Sequence, residues 1–231
     1  MRYPVVFFDA DDTLFDFEKT KQVALDALFV EAGFPRSEAL TATYERINQQ
    51  LWQELEQGRV APATLKVERF ARFCTATGLA GDPEWLSTRY LQRLSQGTDL
   101  LPGAEQLVQT LHGSVRLALI TNGLQAVQRP RFAQSSLCKC FEVIVVSEEV
   151  GIAKPNPEIF RITWEQMGCP ELSGILMVGD SLASDIQGGV NFGIATCWYN
   201  PNQLPLPAEP RIDHNLTDLT KFPELVLDRS V

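Results

Sequence analysis

Histidine is scarce: His112 and His214 are the only two in 231 residues, too few for a histidine-rich zinc site and a thin basis for a serine–histidine–aspartate relay. Cysteine is sparse, odd in number and irregularly spaced. Cys74, Cys138, Cys140, Cys169 and Cys197 do not resemble the even framework of a small secreted domain, so reduced thiols are expected. Cys138 and Cys140 form a C-x-C pair, but no second pair or nearby histidine completes a tetrahedral metal site, which leaves them a structural role. Positive charge is in deficit too, with 20 Lys and Arg against 29 Asp and Glu, a formal charge of −9. Affinity for a polynucleotide backbone comes from clustered cations that release counterions, so nucleic acid polymers are not expected as partners. A small phosphate held by a metal and one or two cations remains compatible with that charge. Long apolar runs are missing as well. The run Val5 to Phe8 is four residues long and breaks into acids at Asp9, so neither a signal peptide nor a membrane span is expected there, and the expected location is the cytoplasm.

What is present is an ordinary globular composition, 45% hydrophobic and 21% charged. The length suits one core domain with a smaller inserted module. Short continuous apolar runs recur at Val5–Phe8, Leu117–Ile120, Val143–Val146, Ile175–Val178 and Ala195–Tyr199. Runs of this kind read as strands buried on both faces, and segments with helical patterning separate them, so an α/β fold with a parallel sheet between helices is predicted. Helices are predicted over Ala104–Leu111, from Pro157 to Met167, and from near Ser184. Between Phe17 and Gly97 there is no convincing strand, but amphipathic stretches run over Lys21–Ala32, Leu40–Gln57 and Thr64–Thr77. The predicted organisation is therefore a core of residues 1–16 and 98–231 with a helical insertion at 17–97. Asn200–Pro210, with four prolines, is predicted as a loop, and Asn215–Val231 as a closing strand or helix.

Four segments carry chemistry, and each follows a predicted strand. Asp9-Ala10-Asp11-Asp12-Thr13 puts crowded carboxylates at a strand's C-terminal end, where open parallel sheets bind ligands. Such crowding is costly unless a divalent cation neutralises it, and oxygen ligands suit Mg2+. The same segment also reads as an acidic turn with a helix cap at Asp12 or Thr13. Thr121-Asn122-Gly123 offers a hydroxyl, an amide and an approachable backbone to an anion, or is a plain strand-to-helix turn. Lys154 is held in a loop stiffened by Pro155 and Pro157, where its ammonium can offset phosphate and carboxylate charge. Gly179-Asp180-Ser181-Leu182-Ala183-Ser184-Asp185 adds two acids, of which Asp185 also suits the start of a helix. Gly188 and Gly189 read as allowing close helix packing. All four segments would converge at one edge of one sheet.

With these segments the chain resembles the haloacid dehalogenase superfamily of phosphohydrolases. Its first motif, hydrophobic-Asp-x-Asp-x-Thr, is matched by Phe7-Phe8-Asp9-Ala10-Asp11-Asp12-Thr13. The resemblance implies a Rossmann-like core with a C1-type helical cap, Asp9 as nucleophile and Asp11 as general acid and base. It implies phosphate binding by Thr121, Asn122 and Lys154, and a metal site of Asp9, Asp11 (through its backbone carbonyl), Asp180 and Asp185. The cofactor implied is Mg2+, with Mn2+ or Co2+ as substitutes. Most relatives carry Gly where this chain has Asp12.

Asp-Ala-Asp-Asp-Thr, Ile-Thr-Asn-Gly and Ser-Glu-Glu-Val-Gly-Ile-Ala-Lys-Pro-Asn-Pro together are similar to the pyrimidine 5'-nucleotidase subgroup. The expected partner is thus a small phosphorylated metabolite, specifically a nucleoside monophosphate such as dUMP, dTMP or UMP, with the protein a monomer or weak homodimer. Base contacts are expected from the cap, with Phe17, Trp52 and Phe70 for stacking and Gln50, Gln53 and Arg69 for edges. The same residue types at helical spacing also read as core. Rival readings are a phosphatase or mutase for sugar phosphates and, from another class, a phospho-acceptor signalling domain. The latter takes its acceptor aspartate from a later strand and lacks a large helical insertion.

Overall fold

The computed structural model describes residues 1–227. Two compact units are formed: one of Met1–Phe17, Thr98–Gln125 and the chain from Phe132 onward, the other of Glu18–Gly97 with Ala126–Arg131. No helix among the described residues is long and apolar enough to cross a membrane.

The first unit is built on six strands: β1 (Val5–Phe8), β2 (Arg116–Thr121), β3 (Val143–Val146), β4 (Ile175–Gly179), β5 (Ala195–Tyr199) and β6 (His214–Leu216). All pair in parallel in the order β3-β2-β1-β4-β5-β6. In register, Val5 faces Arg116 on one side and Ile175 on the other, so β1 is central. The apolar runs form this sheet because alternate residues serve opposite faces. Val6, Phe8, Leu119 and Val178 pack with Leu107 and Leu111 of a helix at Ala104–Leu111 and with Phe222 of the last helix, Phe222–Leu227. Phe7, Ile120, Val145 and Met177 pack on the other face with Ile159 and Phe160 of the helix Pro157–Gln166. The chain therefore has an α/β fold with helices on both faces of a parallel sheet. Beyond β5 the closing segment contains both a strand and a helix, and its last four residues, 228–231, lie outside the described residues.

The second unit contains α1 (Phe17–Glu31, whose first residue belongs to the sheet unit), α2 (Glu38–Glu56), α3 (Pro62–Thr77) and α4 (Pro83–Leu94). Prolines open α3 and α4 where no intrahelical N–H is needed, and Gly78 closes α3 in the left-handed region at φ 70°. Its interior is aromatic: Phe29 stacks on Phe73 at 5.4 Å between centroids, and Tyr44 on Phe70 at 5.2 Å. Glu31 at the end of α1 pairs with Arg89 and Arg93 of α4.

Candidate active site

Strand order reverses between β1 and β4, which makes their C-terminal ends the crevice of this sheet. Asp9 extends β1 by one residue, its amide donating to the Val178 carbonyl at 2.9 Å, so its buried carboxyl stands at that edge. The chain then turns sharply. Asp12 takes φ 61°, a conformation glycine adopts freely and aspartate tolerates better than most residues. Its Oδ1 accepts the Phe17 amide at 3.1 Å, capping the start of α1. Asp12 thus occupies the left-handed geometry and adds a cap. Asp11, between the two, is half-buried.

Lys154 is almost fully buried and its ammonium has three oxygen neighbours: Asp9 Oδ1 at 2.5 Å, Asp185 Oδ1 at 2.7 Å and the Ile120 carbonyl at 2.7 Å. The Asp185 contact is close in distance but off the angle of a good hydrogen bond. The Lys154 main chain is clamped as well. Its amide donates to Asn122 Oδ1 at 2.8 Å, and its carbonyl accepts from Asn122 Nδ2 at 2.9 Å. Behind it, Asn191 Nδ2 donates to the Pro155 carbonyl at 3.0 Å, and Gly188 admits Pro155, whose Cα would lie 3.3 Å from an added Cβ.

Asp180 follows β4 and is tied to the β1 loop through Thr13. Its amide donates to Thr13 Oγ1 at 3.0 Å, and Thr13 Oγ1 is 3.3 Å from Asp180 Oδ1. Asp185 sits in a π-helical turn, Leu182–Ile186, that leads into a short helix, Gln187–Phe192. Its Oδ2 accepts the Ser181 amide at 3.0 Å. This carboxylate lies so near the β4 backbone that a Cβ on Gly179 would be 2.2 Å from Oδ2.

One oxygen each from Asp9, Asp180 and Asp185 lie within 4.8 Å of one another. Burial raises the Asp9 carboxyl well above its ordinary range; Lys154 opposes this, while Asp185 and Asp180 add to it. Burial, then Asp185 and Asp12, lift Asp180 to about 7 against the pull of Lys154. For Lys154 burial disfavours the charge, but Asp185 and Asp9 outweigh it and hold the ammonium above the ordinary lysine range. Once deprotonated, three carboxylates facing one ammonium leave two negative charges in excess, and the donors are all oxygen. That set fits a hard divalent cation such as Mg2+, whose charge balances the excess.

Of the residues singled out in the sequence, Asp9, Lys154, Asp180 and Asp185 lie together, and buried Thr121 ends the adjacent strand β2. The carboxylate of Asp11 is not among the three that converge. The Asn122 side chain bonds the Lys154 backbone at both ends of its amide, Oδ1 accepting from the Lys154 N–H and Nδ2 donating one hydrogen to the Lys154 carbonyl. Phe17, which falls in the sheet unit, is half-buried; in the helical unit Trp52 is half-buried and Gln50 and Gln53 are exposed. Phe70 is 0% exposed, stacked on Tyr44 and edge-on to Tyr90. A ring enclosed in this way has no face left for a base, so Phe70 belongs to the unit's core. Buried Arg69 lies over the Tyr90 ring at 4.9 Å. Sequence reasoning assigns Thr13 only a motif or capping place and Trp198 none beyond its strand, because cross-strand contacts leave no local signal.

A profile of the haloacid dehalogenase-like hydrolases matches residues 3–193. The chain is 36% identical over 207 residues to the pyrimidine 5'-nucleotidase YjjG of Escherichia coli (strain K12), covering 90% of each. It is 37% identical over 205 residues to the pyrimidine 5'-nucleotidase PynA of Streptococcus pneumoniae (strain ATCC BAA-255 / R6), covering 88% of this chain and 86% of PynA. Among solved structures, the HAD-hydrolase YfnB from Bacillus subtilis, bound to magnesium, matches with a TM-score of 0.89 at 32% identity, covering 98% of this chain and 99% of YfnB.

Proposed function

The chain belongs to the haloacid dehalogenase-like hydrolases, and from that premise we propose that it is a Mg2+-dependent phosphomonoesterase acting through an aspartyl-phosphate on Asp9. The observation that carries this reading is the Lys154 ammonium seated between Asp9 and Asp185 beside Asp180. A buried cation with two acid partners opposes the protonation that burial favours at Asp9 and adds charge complementary to an incoming phosphoryl group. Asp9, Asp180 and Asp185, with the Asp11 backbone carbonyl, would hold the metal. When bound, Mg2+ supplies two positive charges that offset the clustered carboxylates and the phosphoryl oxygens.

Hydrolysis of a phosphate monoester is slow enough unaided that the site must lower the barrier by on the order of 20 kcal/mol, chiefly by positioning and electrostatics. An Asp9 carboxylate oxygen attacks phosphorus, the bond from phosphorus to the ester oxygen breaks, and Asp11 gives its proton to the leaving alkoxide. Asp11, now a carboxylate, takes a proton from water as that water attacks phosphorus. The bond between phosphorus and Asp9 then breaks, inorganic phosphate leaves, and both aspartates return to their starting states. Thr121, the backbone around Asn122, and Lys154 hold the nonbridging oxygens while charge redistributes.

The substrate class we assign is the pyrimidine nucleoside 5'-monophosphates, with dUMP, dTMP and UMP first. The support is the likeness to YjjG and PynA over most of each chain. The test is Mg2+-dependent phosphate release across nucleoside monophosphates and hexose phosphates, run beside Asp9→Asn and Asp11→Asn. Expected are fastest turnover of dUMP and dTMP, background rates for Asp9→Asn, and a loss of about 10²–10⁴-fold for Asp11→Asn. Equal or faster turnover of hexose phosphates removes the nucleotidase assignment, and full activity in Asp9→Asn removes the covalent step.

A further inference from the structure

Trp198 meets the carboxylate cluster from outside the four chemistry-bearing segments. Trp198 lies on β5 opposite Gly179, and its side chain is nearly buried at 3% exposure. Its indole Nε1 donates to the Asp180 carbonyl at 2.8 Å. An indole N–H is a donor only, and once buried it needs a partner. Here that partner is the main chain of an acid in the three-carboxylate cluster.

Asp180 is consequently held at three atoms. Its amide and one carboxylate oxygen meet Thr13 Oγ1, which comes from the β1 side, and its carbonyl meets Trp198, which comes from the β5 side. Asp180 has already left the β4 ladder, whose last pair with β5 is Gly179 with Trp198. The regular sheet bonds therefore stop one residue short of it. The indole continues the tie to β5 where the strand ends.

We propose that Trp198 is a positioning residue for the metal centre, holding the Asp180 peptide so that its carboxylate is preset for a divalent cation. It rests on the reading of the site as a Mg2+-dependent phosphohydrolase. Groups that orient metal ligands from behind typically change affinity by 10–100-fold when removed. Since the indole bonds the backbone rather than the carboxylate itself, the lower end of that range applies.

The test is Mg2+ binding measured by isothermal titration calorimetry without substrate, on the full chain and on Trp198→Phe, which keeps an aromatic ring and lacks the N–H. The expected result is a dissociation constant weakened by about tenfold, a matching rise in the Mg2+ concentration needed for phosphate release, and kcat at saturating Mg2+ within about twofold. A lower melting temperature in EDTA with unchanged Mg2+ affinity would mean that Trp198 is only structural, which overturns the proposal. Should Trp198→Phe not fold, the wild-type protein labelled with nitrogen-15 replaces it. Its four indole signals, sorted with Trp52→Phe, Trp85→Phe and Trp164→Phe, must show that of Trp198 moving as Mg2+ is added. A stationary signal overturns the proposal. No Mg2+ binding and no Mg2+-dependent phosphate release by the wild type overturns the site reading as well, whereas equal binding by wild type and Trp198→Phe overturns only the role of Trp198.

Discussion

Asn122 shows how a residue can be found from sequence while its direction stays hidden. A strand followed by Thr-Asn-Gly marks a place where an anion can approach, and that much is local. What the side chain amide bonds depends on Lys154, 32 positions away, whose amide and carbonyl take both of its hydrogen-bonding groups. Two antiparallel bonds to one residue fix the main chain from which the Lys154 side chain starts, so Asn122 is expected to act through Lys154. Asn122→Ala is expected to lower kcat/KM by about tenfold, the scale of one or two lost hydrogen bonds that position a charged group. In a Lys154→Ala background the same change is expected to cost less than about twofold, because the clamp then has no ammonium to place. Binding of orthovanadate by the four proteins of this cycle measures the coupling. Equal effects in both backgrounds would return Asn122 to direct phosphate contact.

At the scale of elements, the join of β4 to the π-helical turn after it is the tightest point of the site. The Asp185 carboxylate is fixed by the Ser181 amide and the Lys154 ammonium, and it lies against Gly179, where a Cβ would fall 2.2 Å from Oδ2 and 2.3 Å from Cγ. The overlap reaches Asp185 Cβ at 2.5 Å, an atom that a change of rotamer does not move. Gly179→Ala is therefore expected to lose about 1–3 kcal/mol of stability, the range for overpacked interiors. Circular dichroism melting should show a fall of roughly 5 °C, and calorimetry a weakened Mg2+ affinity. A melting temperature within a degree of wild type would show that the turn can move aside. The sheet is legible in the sequence because continuous apolar runs report burial on both faces, and the acids after them stand out against that background. Helix starts are less legible: α1 begins at Phe17 rather than near Lys21 because Asp12, outside the amphipathic pattern, caps it. The turn holding Asp185 also differs in kind from the ordinary helix start that its sequence suggests, because i→i+5 bonding at Leu182–Ile186 has no compositional mark.

For the molecule as a whole, the acidic cluster sets stability against readiness for metal. Asp180, lifted to about 7, and Asp9, also raised, keep protons in the folded protein at pH values where the unfolded chain has lost them. Between about pH 4 and 7 the native state binds more protons, so this contribution to stability is present at the acid end and lost as pH rises through the folded values. His214 works the other way: burial first, then Arg2, lower its pKa, so its contribution grows as pH rises from that lowered value to the ordinary histidine value, but the ring is only partly buried and the effect small. Metal-free protein is accordingly expected to melt several degrees lower at pH 7.5 than at pH 5.5. A divalent cation such as Mg2+ would bind the deprotonated acids, so its stabilising effect should be larger at pH 7.5 than at pH 5.5. Asp180→Asn removes one repelling charge while keeping an oxygen for the Thr13 hydroxyl. It should raise the metal-free melting temperature at pH 7.5 by roughly 4–8 °C, corresponding to about 2 kcal/mol, and abolish most of the Mg2+ increment. Differential scanning calorimetry at the two pH values, with EDTA or with Mg2+, reads all of these quantities. A metal-free protein more stable at pH 7.5 than at pH 5.5, and not stabilised by Asp180→Asn, would show that Lys154 already neutralises the cluster and that the site has no excess charge for a dication to balance.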